Sequence, residues 1–216
     1  MSKIDMRDDI PVLLTIMGTC QSSPNPNPIL YATFPTYGAA GVLFTDLVTV
    51  LAATQRHRAV PVLSGLGGKR EAADADWFDT AWRETAEELF GWSTLPDGLL
   101  RAFRAHLQAD TVTENSGYVI VQCSFETLHQ FLQMCAAGGP SPYYKQMPRT
   151  LMELILERDP SAKGEIGGLA LLPVRPIPCL VDRLFQGDLK RLVTRPLCEH
   201  PPPSDAVPSQ APCSST

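Results

Sequence analysis

Three glutamates, Glu84, Glu87 and Glu88, stand at positions i, i+3 and i+4 of the stretch Trp82-Arg-Glu-Thr-Ala-Glu-Glu-Leu-Phe-Gly91. At about 100° per residue, a helix gathers them within an arc of roughly 100°. Phe78, Trp82, Thr85, Ala86 and Leu89 then fall on the opposite side, so the helix has an aromatic and aliphatic face to bury. Like charges one turn apart cost a helix about 0.2–0.5 kcal/mol per pair. A hard divalent cation turns that cost into a site, because Mg2+ favours carboxylate oxygens and retains waters for a phosphate partner. A solvated acidic face is the other use of the same three residues. Arg83 precedes Glu87 by four positions and is placed to orient it.

Directly upstream lies Ser64-Gly-Leu-Gly-Gly-Lys69, which reads as a glycine-rich loop. Gly65, Gly67 and Gly68 let the main chain approach phosphate oxygens or offer a carbonyl to a metal. A glycine turn alone says little. A glycine turn leading into an Arg-Glu-x-x-Glu-Glu helix is specific.

The segment Gly67-Gly-Lys-Arg-Glu-Ala-Ala-Asp-Ala-Asp-Trp-Phe-Asp-Thr-Ala-Trp-Arg-Glu-Thr-Ala-Glu-Glu-Leu-Phe-Gly-Trp92 resembles the signature of the Nudix hydrolases. That signature runs Gly, five residues, Glu, seven residues, Arg-Glu, an aliphatic, any residue, Glu-Glu, any residue, Gly, an aliphatic. Gly67-Gly68-Lys69, Arg83-Glu84, Glu87-Glu88 and Gly91 match in order, and Tyr37-Gly-Ala-Ala-Gly-Val-Leu43 is similar to the family's first core strand. Four positions differ. Asp74 stands where the pattern has its first Glu, eight residues separate it from Arg83, Thr85 replaces the aliphatic, and Leu89-Phe90 fill a one-residue gap. An insertion in a loop is inexpensive, but it leaves the loop carboxylate open among Glu71, Asp74 and Asp76.

The resemblance implies a Nudix fold, an α+β sandwich with a central mixed β-sheet flanked by helices. It implies a pyrophosphohydrolase that uses Mg2+ or Mn2+ to cleave a nucleoside diphosphate linked to another group. Glu84, Glu87 and Glu88 would ligate the metal with the Gly68 carbonyl. Arg83, Glu84 and Glu87 would belong to the catalytic set, and Lys69 would meet the pyrophosphate. Relatives often use a further glutamate outside the signature. Glu165, just before a late apolar run, is the first choice, with Glu114 and Glu126 behind it. Arg56 and Arg58, flanking His57, are candidates for substrate phosphates, or else form a polar turn. Tyr143-Tyr144 would either stack on a base or pack on the protein body. Trp82 reads as core, and Trp77 fits either role. A nucleotide, a nucleotide sugar, a dinucleotide and an RNA cap all remain open as substrate, and the resemblance leaves room for a homodimer. A nucleotide-binding module of the same fold, without turnover, is the alternative.

The elements that must carry these residues alternate along the chain. Strands are expected at 10–17, 39–44, 118–125 and 169–174, with 47–53 forming a hairpin or bent strand with 39–44. Helices are expected at 79–90 with Asp79 and Thr80 as caps, at 99–107, 127–137, 148–158 and 181–193. The organisation is an N-terminal extension and first strand over 1–36, the catalytic domain over 37–195 with a helical insertion near 127–160, and a disordered Pro/Ser-rich tail over 196–216.

The 216 residues are 44% hydrophobic and 19% charged, enough for one domain with its own core. A net charge of −5 argues against a protein held to nucleic acid by its overall field. No run reaches the length of a membrane span, and acids occupy the N-terminus where a signal peptide needs a basic region. Six cysteines without a Cys-x-x-Cys pair suit reduced thiols, and hence a cytoplasmic or nuclear location.

Overall fold

A computed structural model describes residues 34–56, 62–177 and 180–194. The strand expected at 10–17, the loop at 22–29, the tail from 196, His57 and Arg58 lie outside them. Seven strands and five helices are described: β1 (Ala39–Phe44), β2 (Thr49–Gln55), β3 (Val62–Ser64), β4 (Leu66–Lys69), α1 (Trp77–Phe90), α2 (Leu99–His106), β5 (Thr111–Asn115), β6 (Tyr118–Cys123), α3 (Phe125–Ala136), α4 (Leu151–Leu156), β7 (Ile166–Pro173) and α5 (Arg183–Thr194).

The architecture is α+β. A mixed sheet has the order β4-β1-β6-β5, with β1 parallel to β6 and antiparallel to β4. A second, antiparallel sheet has the order β3-β2-β7. Alternation along β1 and β6 sends Ala40, Val42, Phe44, Val119, Val121 and Cys123 into one core and Leu43 and Ile120 into another. The first core takes α1 to α4. The second takes Phe185, Leu189 and Leu192 of α5 and side chains of both sheets. The mixed sheet is therefore flanked by helices, as expected. The second sheet was not anticipated.

Three local readings need correction. The stretch 64–69 is not a free loop but two short strands that hinge at Gly65. The hairpin between 39–44 and 47–53 does not form. Both edges of β1 are occupied, by β4 and β6, so after a single bridge from Thr45 to Val50 the chain crosses into the other sheet. The turn is closed by Asp46 Oδ1, which accepts from the N–H groups of Val48 and Thr49. Strand β5 was missed because it is polar and half exposed. Its signal was the Asn115-Ser-Gly-Tyr118 turn: Ser116 at φ 52° and Gly117 at φ 83° are both left-handed, as a tight two-residue hairpin requires.

Helix α1 begins two residues earlier than expected. Asp76, not Asp79 or Thr80, is its N-cap, and accepts from the N–H groups of Phe78 and Asp79. At the other end Gly91 adopts φ 73° and donates its N–H to the Glu87 carbonyl at 2.7 Å. The buried face expected from the periodicity is buried: Phe78, Trp82, Thr85, Ala86 and Leu89 are all within the core. No described helix is long and apolar enough to cross a membrane.

Phe131 of α3 is the hub of the aromatic core that seats α1. Its ring lies 5.0 Å from Phe103, 5.2 Å from Trp82, 5.8 Å from Phe90 and 6.4 Å from Phe44. Truncation to Ala should cost about 3–5 kcal/mol in urea unfolding, the range for a large buried aromatic. A loss below about 1 kcal/mol would contradict this packing.

Candidate functional site

The site is built where α1 passes under the edge strand β4. Arg83 is buried in the middle of α1. Its Nε and Nη2 donate to the two oxygens of Asp74, both at 2.9 Å. Nη2 also donates to the Lys69 carbonyl at 2.9 Å, and Nη1 donates to Glu84 Oε1 at 3.0 Å. Glu87 Oε2 lies 3.5 Å from the same Nη1. One planar guanidinium thus joins the loop, the end of β4 and two of the three glutamates.

The three loop carboxylates have different partners. Asp74 is the partner of Arg83, and is itself fixed by the Glu71 N–H and the Thr80 hydroxyl, each at 2.8 Å. Asp76 caps the helix and pairs with Arg104 of α2, which also reaches Asp79 at 2.7 Å. Glu71 is exposed, 3.7 Å from Arg83. Burial would raise the Asp74 carboxyl, but the hydrogen bonds from Arg83, the Glu71 N–H and Thr80, with the Arg83 charge, together outweigh it and hold the group below the usual carboxylate range. The hydrogen bonds to Asp74 in turn raise Arg83 far above its ordinary value.

The two glycines of β4 make room for different neighbours, Gly68 for α1 and Gly67 for β1 and Tyr118. A Cβ on Gly68 would overlap the Glu84 carboxylate. The neighbouring Gly67, at φ 143°, donates its N–H to Glu88 Oε2 at 2.8 Å. At Gly68 the strand carries no side chain, which lets it lie against the Glu84 carboxylate. Desolvation raises the Glu84 carboxyl, against Arg83, with Glu87 and Glu71 adding repulsion. Glu88 is pushed up to about 8 by burial, against the Gly67 hydrogen bond, with the charges of Glu84, Glu165 and Glu87 adding to the rise. Glu87 is the most exposed of the three.

Of the other expected residues, Glu165 is exposed and precedes β7, close enough to Glu88 to repel it. Arg56 lies beside it. The Arg56 N–H donates to the Glu165 carbonyl at 3.0 Å, and its Nη2 donates to the Pro160 carbonyl at 2.8 Å. Lys69 ends β4 with an exposed side chain. Glu114 accepts from the Gly117 N–H in the β5–β6 turn, and Glu126 lies in the first turn of α3. Tyr144 is buried with its hydroxyl on the Leu154 carbonyl, and Tyr143 lies under the Arg158 guanidinium. Both pack on the body. Trp77 is core, edge-on to Phe34 and Phe78.

Two side chains beside the acids went unnoticed in the sequence. Arg158, buried, donates to the carbonyls of Glu88 at 3.1 Å, Leu89 at 2.8 Å and Ile166 at 3.4 Å. Tyr118 reaches over Gly41 and Gly67, so that a Cβ on either glycine would collide with its hydroxyl. Both contacts are tertiary, and no local pattern announces them.

Glu84, Glu87 and Glu88 are hard oxygen donors of the kind a divalent cation takes. Among the described residues no three acidic, His or Cys side chains converge as ready ligands. Glu84 and Glu87 lean on Arg83, and Glu88 on Gly67.

No protein-family model matches the chain, and no curated protein matches it. Among solved structures it is similar to a NUDIX hydrolase from Nitrosomonas europaea, at 14% identity and a TM-score of 0.35, covering 73% of this chain and 86% of that one. It is also similar to a NUDIX-family hydrolase from Clostridium perfringens, at 10% identity and a TM-score of 0.33, covering 74% and 97%. A further match, the E. coli ORF135 protein, has 15% identity and a TM-score of 0.21, covering 43% of this chain and 63% of that one.

The raised Glu88 carboxyl gives a pH dependence with a fixed sign. An acid whose pKa is higher in the fold keeps its proton there while the unfolded chain loses it. Its cost to stability is nil below the ordinary carboxyl value of about 4.3, grows with pH, and is complete above about 8. Glu88→Gln removes that cost and can still accept from Gly67. In buffer with a chelator, the melting temperature of Glu88→Gln relative to wild type should climb between about pH 5 and pH 8. A flat difference would contradict the placing of this carboxyl.

Proposed function

We propose that the chain is a metal-dependent pyrophosphohydrolase of the Nudix type, acting on a nucleoside diphosphate linked to a second group. The observation that carries this reading is the seam between α1 and β4. Glu84, Glu87 and Glu88 leave one helix face beside Gly67 and Gly68, and a buried Arg83 fixes the first two. The spacing of the Arg-Glu-x-x-Glu-Glu core is that of the family signature.

The residues fit a divalent cation by their chemistry. Burial raises the carboxyls of Glu84 and Glu88, the neighbouring glutamates add repulsion, and a cation relieves both costs. Glu84, Glu87 and Glu88 would hold Mg2+ or Mn2+, with the main-chain carbonyl of Gly68. The bound cation would neutralise the diphosphate and lower the pKa of a water. Arg83 keeps Glu84 and Glu87 oriented. Glu165, exposed beside Glu88, is the carboxylate placed to accept the proton of the attacking water. In the reaction the water oxygen bonds to one phosphorus, the bridging P–O bond breaks, and the second phosphate leaves with the electron pair. Lys69 and Arg56 are rim cations for the substrate's phosphates. Arg58 shares that role in the proposal.

A second reading is a nucleotide-binding module of the same fold without turnover. It draws on Glu84 and Glu87 being held by Arg83 rather than converging.

A panel of UDP-glucose, diadenosine tetraphosphate, dGTP and capped RNA, each with Mg2+ or Mn2+, separates the two. The enzyme reading expects cation-dependent release of a nucleotide product. It expects Glu87→Gln to lower kcat by about 10²-fold or more, the scale for losing one preorganised electrostatic group. Nucleotide binding without cation-dependent cleavage would overturn it in favour of the module.

A further inference from the structure

Arg158 lies far from the signature in sequence and is buried against it in space. Its three hydrogen bonds go to carbonyls: Glu88 and Leu89 at the C-terminal end of α1, and Ile166 at the start of β7. Glu88 carries one of the acidic side chains, and Ile166 follows Glu165 directly. The guanidinium also stacks on Tyr143, 4.4 Å from the ring centroid, and its Nε is buried without a hydrogen-bond partner among the described residues. A cation at a helix C-terminus is favourable, yet a buried guanidinium bonded to carbonyls rather than to a carboxylate is an expensive way to cap a helix. What the arrangement achieves is a fixed separation between two chain segments, each bearing a glutamate of the site.

We propose that Arg158 is a positioning residue that sets the spacing between the Glu88 and Glu165 carboxylates, and thereby the site's affinity for a divalent cation. The inference rests on the function proposed above. It ties the segment between α3 and β7 to the acidic cluster: Tyr143 braces the guanidinium, and the ring of Tyr143 lies against Gly164, where a Cβ would collide with it. Lysine cannot replace Arg158, because a single ammonium cannot span the three carbonyls of Glu88, Leu89 and Ile166 as the guanidinium does.

The test is a double-mutant cycle read as Mn2+ affinity by calorimetry on the full chain, with Mn2+ alone as probe. Arg158→Lys and Glu165→Gln should each weaken binding by about tenfold, as outer-shell changes do. The double variant should be no weaker than either single one, because both remove the same interaction. Losses that multiply to about a hundredfold would reduce Arg158 to a structural cap and overturn the proposal. Thermal melts check folding. Should Arg158→Lys not fold, Tyr143→Leu loosens the guanidinium from the other side, and its smaller loss should likewise vanish in the Glu165→Gln background. If wild type binds no Mn2+, the functional reading falls and takes this one with it. If wild type binds, and Glu87→Gln weakens binding while Arg158→Lys does not, this inference alone fails.

Discussion

The ion pair between Arg83 and Asp74 is the constraint on which the site depends. Both residues are buried, and the pair is bidentate at 2.9 Å on each arm. A buried charge is tolerable only with its partner in place, and losing one partner typically costs about 3–5 kcal/mol. Asp74 belongs to the loop, Arg83 to the helix, and the remaining Arg83 donors go to Lys69 and Glu84. Loop, strand end and acidic face are therefore locked together by one side chain. Mutually repelling glutamates can stay on one helix face because the cation beneath them is held from the other side.

Around that pair the packing leaves little freedom. The aromatic core formed by Trp82, Phe90, Phe103 and Phe131 fixes the rotation of α1 about its axis. Arg104 clamps the first turn to α2 through Asp76 and Asp79, and Arg158 holds the last turn through two carbonyls. The helix is thus anchored by a cation at each end and another in its middle. The absence of a side chain at Gly68 lets β4 settle on the Glu84 carboxylate, and the Gly67 N–H meets Glu88. The energetic consequence is a desolvated carboxyl at Glu88, which makes the apo protein less stable as pH rises toward 8.

Helix α1 was legible in the sequence because period 3.6 and the Arg-Glu-x-x-Glu-Glu spacing both act within four residues. Its N-cap was misplaced because Asp74, Asp76 and Asp79 are all good cap types, and tertiary partners decide among them: Arg83 claims Asp74, and Arg104 shares Asp76 and Asp79. Strand β1 was read to the residue, since it is apolar throughout. The glycine-rich strand β4 reads as loop because its pairing comes from β1, not from propensity. The split into two sheets was invisible for the same reason, as nothing local reveals that both edges of β1 are taken. Glu165 was chosen on sequence position and lies within electrostatic reach of Glu88, whereas Arg158, which brings the two segments together, left no trace in the sequence. Nothing local in the sequence announces that Arg56 Nη2 bonds the Pro160 carbonyl.

The central claim is that the face bearing Glu84, Glu87 and Glu88 is a cation site. Anomalous diffraction from crystals soaked in Mn2+ tests it most directly. The account predicts a strong anomalous peak at about 2.0–2.2 Å from carboxylate oxygens of these residues, beside the Gly67–Gly68 backbone, and its loss in crystals of Glu88→Gln. A peak elsewhere, or none while Glu84 and Glu87 stay bonded to Arg83, would contradict it.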